Sequence, residues 1–369
     1  MTAILRQQVG QLIIAGLEGP ELTATERAWL KLIRPGGVIL FRRNIEEARQ
    51  TNQLLREATK IADGPFFRCV DLEGGLVDRL RDLLTPMPAP AAVYATGKPA
   101  LFKMHGRLIA LEARSLGFNT VFAPVLDLAL PTSSSVMRTR AVSAEPTEVT
   151  NYAASFLQGL SALKILGCGK HFPGLGGGNL DSHHAMPVIN RSWEQMWRQD
   201  IAPFRSLSAQ LPMIMIAHAA YPKASKQRTP ASISPFWITK VLRRKLGYAG
   251  LIISDDMEMG GILTQRSMEE AAVEAIAAGT DLLEICKSPA LVLRAYEALL
   301  SEAEHSPSFR SRIQQAARRV ADRKNQLLPA KVAAAPSSEL LKKIRVQVQN
   351  LAHEVLSTAP GKLRKLNAL

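Results

Sequence analysis

The chain has 369 residues, of which 47% are hydrophobic and 21% charged, the balance of a soluble globular protein able to bury a sizeable core. That length accommodates two average domains or one large one, and a single α/β barrel with short extensions fills it without a second core. The formal charge is +14, and residues 288–369 hold 14 Lys/Arg against 6 Asp/Glu. A basic excess suits an anionic partner, but no nucleic-acid motif accompanies it and aromatics are 5% of the chain. The charge therefore reads as a solvated helical face, with no nucleic acid expected as a partner.

The elements follow one another in a regular rhythm. The first apolar stretch, 12–17, is short, meets Glu18 and has no cleavage site, so it makes a poor signal peptide. No apolar run reaches the ~18 residues that a membrane span needs. Short apolar runs at 11–17, 37–41, 65–71, 120–127, 168–172, 212–218, 250–256 and 281–286 read as parallel strands buried on both faces. Between them, 46–62, 101–116, 146–166, 192–209, 234–246 and 267–278 carry helical periodicity, several starting at Ser or after Pro. Strand and helix alternating eight times predict a (β/α)8 TIM-type barrel, with a doubly wound open sheet as the competing arrangement. Helical patterns continue over 289–303 and 309–327. A Pro/Ala-rich break at 329–338 precedes a last helical stretch, 339–356. We therefore divide the chain into a catalytic barrel, 1–328, and a linker with a short, basic C-terminal helical extension, 329–369.

Cys69, Cys168 and Cys286 lie far apart inside apolar runs, an odd count without metal-type spacing. This argues against a disulfide framework and suggests a reducing, cytoplasmic setting.

Asp71, Asp127, His171, His218 and Asp255 all fall at or just past the C-terminal ends of separate runs. Barrel enzymes carry their chemistry on that rim. The stretch Lys170-His171-Phe172-Pro173-Gly174-Leu175-Gly176-Gly177-Gly178-Asn179-Leu180-Asp181-Ser182-His183 leaves a strand and runs through glycines, which permit close approach to a ligand. No Lys-Ser/Thr follows the glycines, so a phosphate loop is poorly supported. Asp181 and His183 are two apart, and a carboxylate beside an imidazole orients the ring for general acid/base chemistry. In Ser254-Asp255-Asp256-Met257-Glu258-Met259, the paired Asp could bind a metal or supply one nucleophilic carboxylate. Strand geometry sends the two side chains to opposite sides, which disfavours a joint metal site. In Asp71-Leu72-Glu73-Gly74-Gly75-Leu76-Val77-Asp78-Arg79, Asp71 ends a strand where it can accept from sugar hydroxyls, and Arg79 lies within reach of a ligand.

Together these stretches resemble glycoside hydrolase family 3, specifically its single-barrel bacterial β-N-acetylhexosaminidases of cell-wall recycling. Ala217-His218, Tyr221-Pro222, Pro230-Ala231 and Leu246-Gly247-Tyr248-x-Gly250 add to the likeness, which spans residues 9–284. The resemblance implies a retaining hydrolase acting on terminal β-1,4-linked N-acetylglucosamine (GlcNAc) in muropeptides or oligosaccharides. It implies Asp255 as nucleophile, His183 as acid/base and Asp181 as its orienting partner. Asp71, Arg79, Lys170 and His171 match residues that hold the sugar, and Arg140 matches a further sugar-contacting arginine. No metal and no organic cofactor are implied. A β-glucosidase or phosphorylase on the same fold, or a degenerate sugar-binding protein, are the alternatives. The resemblance departs at Leu175 and Gly177, where the family has His and Asp, and at Leu76, where it has Arg. These departures bear on the loop and on substrate preference.

Overall fold

The computed structural model describes residues 3–133, 137–178, 185–329 and 332–358. Its strands are β1 (Ile13–Gly16), β2 (Gly37–Leu40), β3 (Phe67–Val70), β4 (Leu72–Gly74), β5 (Val77–Asp78), β6 (Thr120–Val121), β7 (Leu166–Phe172), β8 (Met213–Ile216), β9 (Leu251–Asp256) and β10 (Leu282–Ile285). All but β4 and β5 close into an eight-stranded parallel barrel in chain order, with β10 returning to β1. The protein is thus a (β/α)8 barrel. The two remaining strands form an antiparallel hairpin in the loop after β3.

The local chemistry explains the rhythm. Parallel strands must be covered on both faces, and β1, β2, β3 and β8 are buried throughout. Helices start where their free amide groups find acceptors. Thr23 and Ser267 form capping boxes with Glu26 and Glu270. Proline opens the helices Pro99–Leu116, Pro146–Ser161 and Pro289–His305, where its missing N–H costs nothing. The first and third of the helices Pro99–Leu116, Ala24–Ile33 and Met268–Ala278 end on Gly117 and Gly279, both left-handed, a conformation glycine adopts without a Cβ penalty.

Two elements differ from the sequence pattern. The run 120–127 pairs as a strand only at Thr120–Val121, because Pro124 has no N–H to give the ladder; contact resumes at the Val125–Lys170 bridge. The helix expected over 192–209 is broken into Trp193–Gln195, a π-helical turn at Met196–Asp200 and Ala202–Leu207. Pro203 cannot donate into the preceding turn, and the Ile201 amide instead reaches the Met196 carbonyl at 2.8 Å.

The helix Ser338–Thr358 lies against the barrel, burying Ile344, Val348, Leu351 and Val355 in the same hydrophobic core. Arg345 reaches the Leu83 carbonyl at 3.0 Å, and Glu354 pairs with Lys98 at 3.1 Å. Part of the basic charge after residue 288 is turned inward. Asp281, fully buried, accepts from Arg312 at 3.1 Å and Arg319 at 2.6 Å, as well as from Arg243. Lys324 is buried against Gln11 at 2.7 Å, and burial lowers its pKa to about 7. Among the described residues, no helix is long and apolar enough to cross a membrane.

Candidate active site

The C-terminal ends of β3, β7, β9 and β10, with the hairpin after β3, bring most of the singled-out residues into one charged cluster. Lys170, near the end of β7, is 3% exposed and sits between two carboxylates, Asp71 at 2.8 Å and Glu73 at 2.7 Å. Glu73 also takes a two-pronged contact from Arg140, with Nε and Nη2 each at 2.8 Å. Arg79 lies 3.7 Å from the other oxygen of Asp71. Burial opposes ionisation of Asp71, but Lys170 and Arg79 outweigh it and hold its pKa at about 2. Glu73 behaves alike: burial is overcome by Arg140 and Lys170, again to about 2. Both carboxylates are therefore charged acceptors at any ordinary pH. Two of the arginine's donor nitrogens are thus committed to Glu73.

His171 follows Lys170 and is 5% exposed. Its Nδ1 meets Asp127 Oδ2 at 2.7 Å, which fixes the ring. The other oxygen of Asp127 accepts the Leu175 amide at 2.6 Å, so one carboxylate orients the histidine and ties down the start of the glycine-rich loop. Leu175 itself is buried, and Gly177 rests against Arg191 and Ile189. Asp181 and His183 lie outside the described residues.

Asp255 and Asp256 separate in role. Asp256 accepts the amides of Glu258 at 3.0 Å and Cys286 at 3.2 Å, which caps the turn after β9. Burial pushes its pKa up to about 7, helped by the charges of Glu258 and Asp255. Among the described residues, the carboxylate of Asp255 accepts only the next amide, at 2.9 Å, and is half-buried. It is the less committed of the two. His218 is fully buried, bonded to Ser232 at 2.7 Å and to the Asp256 carbonyl at 3.0 Å. Burial lowers its pKa, so it is a neutral wall beside Asp255.

Glu73, Asp127 and Glu284 are functional-site residues that sequence reasoning left without a role. In sequence Glu73 lies inside the Asp71–Arg79 stretch, and Asp127 reads only as a rim position. Glu284, in the middle of an apolar strand, is 3% exposed and pairs in register with Asp256. One of its oxygens accepts from the Cys286 thiol at 3.0 Å and the other has no partner among the described residues. Burial, then the charges of Asp71, Asp256 and Asp255, drives its pKa well above the usual range, which favours the uncharged acid. An unfolded glutamate ionises near 4.3. Its contribution to stability is thus complete below that value and is lost as pH rises toward the folded pKa. We expect Glu284→Gln, which does not titrate, to gain in melting temperature relative to the native chain between pH 5 and pH 8. A difference constant with pH would show that Glu284 is ionised in the fold.

Among the described residues, no group of three or more His, Cys, Asp or Glu side chains could hold a metal ion. The site is a set of charged acceptors, donors and one lightly held carboxylate around the mouth of a barrel, suited to binding a polyhydroxyl compound and attacking it.

Comparison with known proteins agrees with that chemistry. Residues 4–322 match the glycosyl hydrolase family 3 N terminal domain. A beta-hexosaminidase of Idiomarina loihiensis is 37% identical over 300 residues, covering 80% of this chain and 89% of that protein. The glycoside hydrolase family 3 beta-N-acetylglucosaminidase of Paenibacillus sp. str. FPU-7 superposes with a TM-score of 0.86 at 30% identity, over 96% of this chain and 69% of that one. Native NagZ from Neisseria gonorrhoeae superposes with a TM-score of 0.74 at 27% identity, over 94% of this chain and 97% of that one. The chain belongs to glycosyl hydrolase family 3, and it is an enzyme of that class, a glycoside hydrolase.

Proposed function

We propose that the protein is a retaining β-N-acetylglucosaminidase that releases terminal β-1,4-linked GlcNAc from peptidoglycan turnover fragments. The observation that carries this reading is the pairing of a lightly held Asp255 with the charged Asp71–Lys170–Glu73–Arg140 cluster on one rim. In the first step Asp255 attacks the anomeric carbon while His183, oriented by Asp181, protonates the leaving oxygen. In the second, His183 takes a proton from water, and the water oxygen displaces Asp255. Asp71, Arg79, Lys170, Arg140 and His171 hold the sugar, directly or through one another. The names of the relatives support N-acetylhexosamine as the sugar. The three cysteines are free and buried, which fits the reducing cytoplasm, where such fragments would be met.

Proton NMR of the reaction on a chromogenic β-GlcNAc tests the reading. We expect the β-anomer as first product, formed at a rate indifferent to added phosphate. A first-formed α-anomer would exclude retention, and phosphate-dependent release of a sugar phosphate would make the enzyme a phosphorylase.

A further inference from the structure

The segment Gly174-Leu175-Gly176-Gly177-Gly178 has no polar side chain, so it cannot anchor itself, and four glycines make it costly to order. What holds it must come from its neighbours. Asp200, 1% exposed on the π-helical turn, lies against the entry to this segment: a Cβ on Gly174 would stand 2.7 Å from the Asp200 Cβ, and Gly174 has φ 128°. The same carboxylate takes the Arg191 Nε at 2.7 Å, and Arg191 also bonds Gln199. Arg191 in turn supports the middle of the segment, since a Cβ on Gly177 would be 3.0 Å from its Cδ. The chain returns just before it, where the Ile189 amide bonds the Ala220 carbonyl at 2.8 Å. One ion pair therefore touches both the entry and the middle of the glycine-rich stretch.

We propose that Asp200 and Arg191 form a brace that positions the glycine-rich segment 174–178 leading out of β7, and through it the acid/base step. They are positioning residues, since neither is placed in contact with the sugar. The second oxygen of Asp200 is buried and has no hydrogen-bond partner among the described residues. Burial raises its pKa to about 6 although Arg191 opposes the rise. An apolar side chain would be cheaper to bury at this place. At Gly174 the 2.7 Å approach and the positive φ favour glycine, and at Gly177 the Arg191 side chain packs close, so the bare loop and the brace fit each other.

This inference rests on the reading of His183 as acid/base, and the test separates the two. A dinitrophenyl leaving group departs without protonation, whereas a sugar or alkoxyl group needs a proton donor. The full-length chain, Asp200→Ala, Arg191→Ala, the double variant and His183→Ala are assayed on 2,4-dinitrophenyl β-GlcNAc and on chitobiose. We expect either brace variant to lose about tenfold to a hundredfold in kcat/KM on chitobiose, the scale of a small misplacement, and less than about threefold on the dinitrophenyl substrate. The double variant should be no worse than the worse single one, as for partners in one interaction. Equal losses on both substrates, or none on chitobiose, would overturn the brace while His183→Ala still discriminates between the two. If His183→Ala itself shows no such discrimination, the acid/base assignment fails instead. Should Asp200→Ala not fold, Asp200→Asn keeps the volume, removes the charge and is expected to show the same leaving-group dependence.

Discussion

Asp255→Asn is expected to lower kcat/KM on a chromogenic β-GlcNAc by at least about a thousandfold, or ~4 kcal/mol of barrier. Removing a nucleophile forces the reaction through direct attack by water. Because, among the described residues, the Asp255 carboxylate accepts a single hydrogen bond, from the next amide, the fold should tolerate the change and its melting temperature should stay close to the native value. Asp256→Asn provides the contrast. That side chain caps two amides, so its substitution bears on the turn after β9. Asn can still accept at one oxygen, and activity should fall far less. The reverse ranking of the two variants would move the nucleophile to Asp256.

Lys170→Met is expected to cost about 3–5 kcal/mol of stability in addition to sugar binding, because it strands buried carboxylate charge. Among the described residues Asp71 would keep only Arg79 at 3.7 Å, while Glu73 would retain its two contacts with Arg140. Denaturant titration of the purified variant checks this. The pH dependence gives a second reading. Asp71 and Glu73 have folded pKa values depressed to about 2, so they add stability above the ordinary carboxylate range near 4 and lose it as pH falls toward 2. Without Lys170 the depression shrinks, so the acid-side slope of stability should flatten. A variant as stable as the native chain would mean that Asp71 and Glu73 find other partners.

The sequence by itself determined the architecture, because apolar runs of strand length alternating with amphipathic helices leave few ways to cover both faces of a parallel sheet. It also marked the rim, since Asp71, Lys170, His171 and Asp255 end their runs where βα loops begin. What it did not determine is which of these residues are tied to each other. The resemblance implies a sugar contact for Arg140, and only the fold shows that Glu73, 67 residues earlier, holds it through two hydrogen bonds. Glu284 hides in an apolar strand, and only the cross-strand register with Asp256 places it under the site. Asp200 comes inward through a turn widened by Pro203, a feature with no period to read. Charge pairing, register and proton occupancy depend on distances between segments remote in the chain, and those distances are set only when the barrel closes.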